Sequence, residues 1–356
     1  MTAARIRQEG EAVLFNIMSR LKRMRAEIHE THRHVEGMAR ALSSSAQALA
    51  DVRRQVGQVS SGLEVQAARI AAEAGTRPEP PATWVPPGHF YSPIVDTDEL
   101  ERRRSRVFDR SAAPHGIDLR EAEQLALLRR LKPHYQKLPF RPDRSGGLRY
   151  GYENPNFSYG DAIILACLLM ELRPERFVEI GSGHSSCVIM DVNDLFLDRS
   201  MDISFVEPYP DLLRSLMTPA DRERYAIVPT PVQDLDLSLI DGLRAGDVLF
   251  IDSTHVSKCG SDVNFELFTI LPRLASGVHI HFHDIFYPFE YPEAWFFETN
   301  RSWNEIYVLR AFLVNNAEYE IVLFNDFLGQ RHMDVMRADF PLFERNPGGS
   351  LWLRKR

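Results

Sequence analysis

The chain has 356 residues, a formal net charge of −7 and a pI near 6.0, and 44% of its residues are hydrophobic. This acidic and otherwise ordinary globular composition excludes a general electrostatic attraction to nucleic acid or to anionic membranes. No apolar run reaches the roughly 18 to 20 residues of a membrane-spanning helix, and the scattered cysteines do not make a disulfide framework. We therefore expect a cytoplasmic protein with neither a nucleic-acid partner nor a membrane span.

Residues 1–75 carry a heptad pattern. Apolar residues recur every seven positions, and the positions three residues after them are also mostly apolar, as in the core of a coiled coil. We predict a coiled-coil helix that makes the chain a homo-oligomer. A single amphipathic helix lying on the globular domain is the alternative, because glycines and polar core residues weaken the pattern. The residues at intervals of seven are Leu14, Leu21, Ile28, Val35, Leu42, Leu49, Val56, Leu63 and Ile70.

A proline-rich linker is predicted over residues 76–97, because proline lacks a backbone donor and favours extended backbone. Residues 98–150 are expected to form a helical lead-in, with helices at 98–109 and 119–131. In residues 151–356, the main domain, helical segments alternate with short apolar strands. The strands predicted there are RFVEI, ISFVE, YAIVPT, DVLFID, GVHIHFH, YEIVLF and SLWLRK.

This alternation of helices and apolar strands predicts an α/β fold in which a mostly parallel sheet is covered on both faces. Ligands bind such sheets outside the carboxyl ends of the strands. The glycines, acids and histidines considered next all follow predicted strands, so we expect them at that edge of the sheet.

The first strand ends in a glycine turn, VEIGSG at residues 178–183. Gly181 and Gly183 let the backbone turn sharply and approach a ligand, while the next helix offers free N–H groups. Ser186 occupies the place of the third glycine of the dinucleotide fingerprint, which disfavours pyrophosphate binding and an oxidoreductase. Glu179 also disfavours a phosphate ligand and suits a cationic or amino-bearing ligand.

Polar residues also follow the next two strands. Glu207 ends the second strand, 26 residues after Gly181, where a carboxylate can accept both hydroxyls of a ribose. Gln233 and Asp234 follow the third strand, where Asp234 could meet an adenine amino group. Acids at three successive strand ends favour a nucleoside-containing ligand over simple loop or cap residues.

From about residue 154 onward the chain resembles the class I S-adenosylmethionine-dependent methyltransferases. VEIGSG matches the glycine-rich motif of that family, and Glu207 and Asp234 match its ribose and adenine acids. The resemblance implies a Rossmann-like, seven-stranded, mostly parallel sheet with a C-terminal antiparallel hairpin, here preceded by the long coiled-coil helix. It implies S-adenosylmethionine as methyl donor, held by Glu179, Gly181, Ser182, Gly183, Glu207, Gln233, Asp234 and Asp252.

A second cluster follows the fourth and fifth strands, which end in FIDSTH and HIHFHD. Carboxylates and imidazoles at neighbouring strand ends can bind a divalent metal or act as a general base. His279 and His281 lie on one face of the fifth strand and are expected to be buried structural histidines. The residues of the cluster itself are Asp252, His255, His283 and Asp284.

This cluster looks like that of the metal-dependent O-methyltransferases that act on macrolide sugars. Those enzymes carry an acid, two intervening residues and a histidine after the fourth strand, and an acidic pair after the fifth. The resemblance implies Asp252 as a metal ligand, His255 as the general base and Asp284 as the second acid of the pair. His283 replaces the first acid, so either His283 binds an ion softer than Mg²⁺ or the site has lost its metal.

Two aromatic segments are candidates for contact with the acceptor. The loop IFYPFEYPEAW after the fifth strand suits a lid or a sugar-stacking surface, although a packed connection is equally consistent with it. The earlier loop GGLRYGYENPNFSYG is expected on the donor side. The candidate substrate contacts are Tyr152, Tyr159, Tyr287 and Trp295.

These features together predict O-methylation of a sugar or glycan hydroxyl, with His255 as general base and a divalent metal orienting the acceptor. The coiled coil would set the oligomeric state or dock the enzyme to a glycan-biosynthesis complex. Two alternatives stay open. One is a metal-independent methyltransferase acting on nitrogen or another small molecule, and the other is a coiled-coil scaffold with an inactive methyltransferase fold.

Overall fold

A computed structural model of the chain describes residues 83–356. The predicted coiled coil of residues 1–75, and with it the predicted homo-oligomer contact, lies outside the described residues. The helical lead-in and the main domain belong to one compact unit, Val85–Arg356. Every helix among the described residues is too short or too polar to span a bilayer.

One seven-stranded sheet forms the centre of this unit. Its strands are β1 (Arg176–Ile180), β2 (Asp202–Val206), β3 (Ala226–Val228), β4 (Val248–Ile251), β5 (His279–Phe282), β6 (Tyr319–Phe324) and β7 (Leu351–Lys355). Their order is β3-β2-β1-β4-β5-β7-β6, and only β7 is antiparallel to its neighbours. This confirms the predicted fold. Residues 325–350 between β6 and β7 contain further helices, so the reversed pair is joined by a wide connection rather than a tight hairpin.

The sheet is buried on both faces. Alternate side chains of a strand point to opposite faces of the sheet. All residues of β4 and β5 are buried, so both faces are covered there. His279 and His281 on β5 are among them, in agreement with the prediction. The helix Tyr159–Leu172 is buried along most of its length and contacts the helices Glu121–Tyr135 and His184–Phe196. This packing leaves the carboxyl ends of the parallel strands as the place where loops meet.

Helices connect the strands. The helix predicted over 98–109 is divided into Thr97–Arg102 and Arg104–Val107, and the helix predicted over 119–131 is Glu121–Tyr135. A π-helical turn, Glu266–Ile270, lies between the helices Asp262–Phe265 and Leu271–Arg273. The remaining short elements are 3₁₀ turns at Val232–Asp234 and Pro341–Arg345. The α-helices are Thr97–Arg102, Arg104–Val107, Glu121–Tyr135, Tyr159–Leu172, His184–Phe196, Asp211–Leu216, Pro219–Arg224, Ser238–Asp241, Asp262–Phe265, Leu271–Arg273, Glu293–Phe297, Glu305–Leu313, Asn325–Arg331 and Met333–Asp339.

Candidate active site

The glycine turn after β1 is fixed by the neighbouring strand. Gly181 has a φ of +78°, and a Cβ at this position would lie 1.8 Å from the backbone oxygen of Asp252 at the end of β4. Only glycine fits there. Gly183 differs, because its φ of −174° is extended and a Cβ would meet only Leu212, at 3.5 Å. The first glycine of the motif is therefore the one that the fold requires.

Glu179 lies beneath this turn and is fully buried. Its carboxylate accepts hydrogen bonds from the hydroxyls of Ser185 and Ser186, each at 2.5 Å. Ser186 Oγ in turn accepts a hydrogen bond from the backbone N–H of Gly183 at 3.1 Å. Burial raises the pKa of Glu179 to about 8. Glu179 and Ser186 therefore hold the turn in place, and Glu179 does not face the cavity beside it.

A first cavity, of about 320 Å³, opens at the carboxyl ends of β1, β2 and β4. Glu207 lies on its wall, and the Glu207 carboxylate accepts hydrogen bonds from the backbone N–H groups of Ser182 (3.0 Å) and Tyr209 (2.7 Å). Gln233 also lies on the wall, whereas the neighbouring Asp234 is exposed and lies outside it. Carboxylates on this wall suit a ligand with positive charge and hydroxyl groups better than a phosphate. The polar wall residues are Glu207, Gln233, Asp252, Ser253, Thr254 and Asp262.

A second cavity, of about 730 Å³, shares Asp252 with the first. Asp252 follows β4, so the two cavities meet at the carboxyl end of a central strand. The second wall combines imidazoles and carboxylates with aromatic rings. Its residues include Asp161, Asp252, His255, His283, Asp284, Trp295, Arg301 and Trp303.

His255 lies between three carboxylates and is 4% exposed. Its Nδ1 is 2.8 Å from Glu305 Oε2, while its Nε2 is 3.3 Å from Asp252 Oδ1 and 3.7 Å from Asp284 Oδ2. The backbone oxygen of His255 also accepts hydrogen bonds from the N–H groups of Asn304 and Glu305, both at 3.1 Å. His255 and Asp284 have φ values of +60° and +57°, in the left-handed region where backbone strain is characteristic of functional sites. The structure thus brings Asp252, His255 and Asp284 together, and adds Glu305 to them.

Comparison with known proteins identifies the family. A family model described as a methyltransferase domain matches residues 178–285, which extend from the glycine turn through the histidine and acidic cluster. The sheet has the seven strands and the reversed C-terminal strand that the resemblance implies. The chain belongs to the class I S-adenosylmethionine-dependent methyltransferases.

Individual known proteins are similar to this chain to different extents. An uncharacterized protein of Archaeoglobus fulgidus is 37% identical over 167 residues, which make up 45% of this chain and 73% of that protein. The S-adenosylhomocysteine-bound Podospora anserina methyltransferase PaMTH1 is 15% identical over 77% of this chain and 99% of its own, with a TM-score of 0.37. A Mg–S-adenosylmethionine structure of CmcI is 15% identical over 72% of this chain and 95% of its own, with a TM-score of 0.34.

The imidazoles of His255 and His283 lie among carboxylates on the wall of the second cavity. These carboxylates raise the pKa of both imidazoles. Burial lowers the pKa of His255, but hydrogen bonds to Asp252 and Glu305 outweigh burial and raise that pKa well above its ordinary value. Burial also lowers the pKa of His283, but the charges of Asp284 and Asp252 raise it to about 9. Burial raises the pKa of Asp252, but His283 and His255 outweigh it and lower that pKa. The neighbouring carboxylates therefore favour the protonated form of both imidazoles.

The residues predicted to hold a metal do not fit a metal centre in this arrangement. Within residues 83–356, no group of three or more His, Cys, Asp or Glu side chains is placed so that it could hold a metal ion. His283 Nε2 instead lies 3.5 Å from Asp284 Oδ1. The predicted metal site of Asp252, His283 and Asp284 is therefore not supported by the geometry.

Of the four predicted substrate contacts, Trp295 lies on the wall of the second cavity. The side chains of Tyr152, Tyr159 and Tyr287 are buried and lie on neither cavity wall. The rings of Tyr152 and Tyr159 stack on each other with centroids 5.0 Å apart, and Tyr287 packs against Phe327. Burial of these large rings stabilises the core. Their predicted place at the cleft is therefore corrected to the hydrophobic core.

Several residues around the second cavity were not predicted from the sequence. Trp303 and Arg301 come from the segment RSWN, which precedes the helix Glu305–Leu313. The Trp303 ring lies against the His255 ring, with centroids 4.4 Å apart. Asp161, in the helix Tyr159–Leu172, accepts a hydrogen bond from Ser350 Oγ at 2.6 Å. Glu305, the first residue of the helix Glu305–Leu313, was also not predicted.

Proposed function

We propose that the chain transfers a methyl group from S-adenosylmethionine to a hydroxyl of a small-molecule or glycan acceptor, such as a sugar. The observation that carries this proposal is the shared wall at Asp252. There the first cavity meets the second, and His255 Nε2 lies 3.3 Å from Asp252. Methyl transfer to a hydroxyl needs donor, acceptor and base at one point, and this junction supplies such a point.

The first cavity is the proposed donor site. S-adenosylmethionine, when bound, supplies an activated methyl group on a sulfonium cation. Glu207 is placed to accept hydrogen bonds from ribose hydroxyls, as the acid after the second strand does in related nucleotide-binding folds. Gln233 is placed to contact the base, whereas Asp234 is outside the wall and receives no contact in this proposal. Asp252 and Asp262 add negative charge that suits a cation.

The second cavity is the proposed acceptor site, with His255 as general base. As the acceptor oxygen bonds to the methyl carbon, the carbon–sulfur bond breaks and its electron pair stays on sulfur. The hydroxyl proton passes to His255 Nε2, and Glu305 stabilises the imidazolium through Nδ1. The sulfonium charge of a donor bound beside Asp252 would lower the pKa of His255. A lower pKa favours the neutral imidazole, which is the form that can accept the hydroxyl proton.

The donor proposal is tested by calorimetric titration of the full-length protein with S-adenosylmethionine. We expect micromolar binding that weakens about tenfold or more in Glu207→Ala, because charge-assisted hydrogen bonds to the ribose are lost. Glu223→Ala removes an exposed carboxylate outside both cavities and should bind like the wild type. No binding by the wild-type protein would contradict the donor proposal and favour a scaffold whose methyltransferase fold is inactive.

The acceptor proposal is tested by the release of S-adenosylhomocysteine in the presence of sugars, with and without a chelator. The imidazolium–carboxylate pairs described above favour transfer that persists in the chelator. Loss of transfer in the chelator, with recovery on adding Mg²⁺ or a softer ion, would instead support the metal that the resemblance implies. Transfer to amines but not to hydroxyls would favour the alternative of a nitrogen methyltransferase.

A further inference from the structure

Arg301 on the wall of the second cavity has an unusual environment for a partly buried arginine. Its guanidinium lies over the rings of Trp295 and Trp303, with Cζ 4.6 Å and 4.8 Å from the two centroids. Within residues 83–356 the guanidinium has no ion-pair or hydrogen-bond partner; the backbone N–H of Arg301 donates to Trp295 O. The guanidinium of Arg149, by contrast, pairs with three aspartates.

The two indole rings fix the guanidinium without using its hydrogen-bond donors. A guanidinium stacked on an aromatic face is held by cation–π attraction, while the N–H groups at its edge stay available. That edge matches the paired oxygens of a carboxylate or a phosphate. The cavity therefore contains a pre-oriented donor edge that no described residue of the chain occupies.

The charges on the same wall restrict where an anion can bind. The carboxylates of Asp161, Asp252 and Asp284 lie on this wall, and two of them are within 4 Å of His255 or His283. An anion near these carboxylates would be repelled, whereas Arg301 offers an unpaired positive charge. One ring separates Arg301 from the base, because Trp303 contacts both the guanidinium and the His255 ring.

We propose that Arg301 binds an anionic group of the acceptor, so that a hydroxyl elsewhere on the same small molecule lies at His255. This inference rests on the proposed methyl transfer and narrows its substrate to hydroxyl compounds that carry a carboxylate or a phosphate, such as a uronic acid or a sugar phosphate. Arg301 is then the residue that selects and orients the acceptor, while His255 removes its proton.

The test measures binding of three probes to the full-length protein saturated with S-adenosylhomocysteine. The probes are glucose, glucuronate and glucose 6-phosphate, which differ in carrying no anion, a carboxylate or a phosphate. We expect at least one anionic probe to bind about tenfold or more tightly than glucose, because bonds to a charged group are among the stronger hydrogen bonds. The more tightly bound anionic probe identifies the anion.

Two variants and a control make this test specific. Arg301→Gln should reduce binding of the anionic probe to the level of glucose, and Arg301→Lys should retain part of the difference. Arg129→Gln, which removes an exposed arginine outside both cavities, should change nothing. Each variant should bind S-adenosylhomocysteine like the wild type, which also shows that it is folded.

Equal binding of all three probes, no binding of any at millimolar concentration, or an Arg301→Gln variant that still prefers the anion would each overturn the inference. If S-adenosylhomocysteine itself does not bind, the proposed function fails and the inference fails with it. If S-adenosylhomocysteine binds but the charged probes bind no more tightly than glucose, only the inference fails.

Discussion

His255 owes its orientation to a residue fifty positions away in the chain. The hydrogen bond of 2.8 Å between Nδ1 and Glu305 Oε2 leaves Nε2 directed to Asp252, where the two cavities meet. A carboxylate that accepts a hydrogen bond from Nδ1–H fixes the tautomer and stabilises the imidazolium once Nε2 has taken a proton. Glu305 is 1% exposed and is itself held by the packing of its helix. We therefore regard Glu305 as the positioning residue of the site.

Glu305→Gln should lower kcat/KM for methyl transfer by about a hundredfold, within the usual contribution of a positioned base. His255 accepts a proton only when neutral, so activity rises as the pH passes through its pKa. Because Glu305 helps to raise that pKa, the variant should show this rise at a lower pH than the wild type. The pH profile of kcat/KM measures the shift.

Glu318→Gln removes an exposed carboxylate outside both cavities and is the matched control for this variant. Binding of S-adenosylhomocysteine should be unchanged in both. A profile for Glu305→Gln that falls in amplitude but keeps the wild-type pH dependence would mean that Glu305 acts on the fold and not on His255.

At the scale of elements, the strands were well defined by the sequence. RFVEI and YEIVLF correspond to β1 and β6 residue for residue, because continuous apolar runs bounded by turns have few other solutions. The short helices Glu293–Phe297, Asn325–Arg331 and Met333–Asp339 were not predicted, since one or two turns are too few to show a helical period.

The same reasoning explains which parts of the site could be predicted. Asp252, His255 and Asp284 follow adjacent parallel strands, so their proximity follows from the sheet alone. Trp303 lies just before the helix Glu305–Leu313 and Glu305 is its first residue, and nothing local in the sequence indicates where this part of the chain docks. Aromatic residues in loops gave a misleading signal, because tyrosine rings in a loop can pack into the core as well as face a ligand.

The junction between β1 and β4 makes a prediction about the glycine turn. Gly181→Ala should reduce the free energy of unfolding by about 2 to 4 kcal/mol, since the new Cβ would meet the Asp252 oxygen and the φ is positive. Gly183→Ala should reduce the free energy of unfolding much less, because the φ of Gly183 is extended and its nearest neighbour is a flexible Leu212 side chain. Urea denaturation of the two variants beside the wild type measures the difference, and equal losses would contradict it.

At the scale of the whole molecule, the sequence has two kinds of pattern. Residues 1–75 carry a heptad repeat, whereas residues 151–356 alternate between helices and apolar strands. The described wall residues of both cavities belong to the unit Val85–Arg356. The heptad repeat of residues 1–75 is long, and a repeat held over so many heptads is typical of self-association. We therefore propose that residues 1–75 set the oligomeric state and dock the enzyme to its partners, while the unit Val85–Arg356 carries the chemistry.

Light scattering of the full-length protein should give a mass of at least two chains. Leu21→Glu combined with Leu42→Glu puts charges at two core positions of the heptad and should shift the mass toward that of one chain, because a buried charge without a partner is costly. Ser19→Glu combined with Gln47→Glu adds the same charges at positions outside the a and d core and should leave the mass unchanged. We expect the dissociated variant to bind S-adenosylhomocysteine like the wild type, because the substituted positions lie outside the described wall residues of both cavities. A wild-type chain that is already monomeric would instead favour the single amphipathic helix.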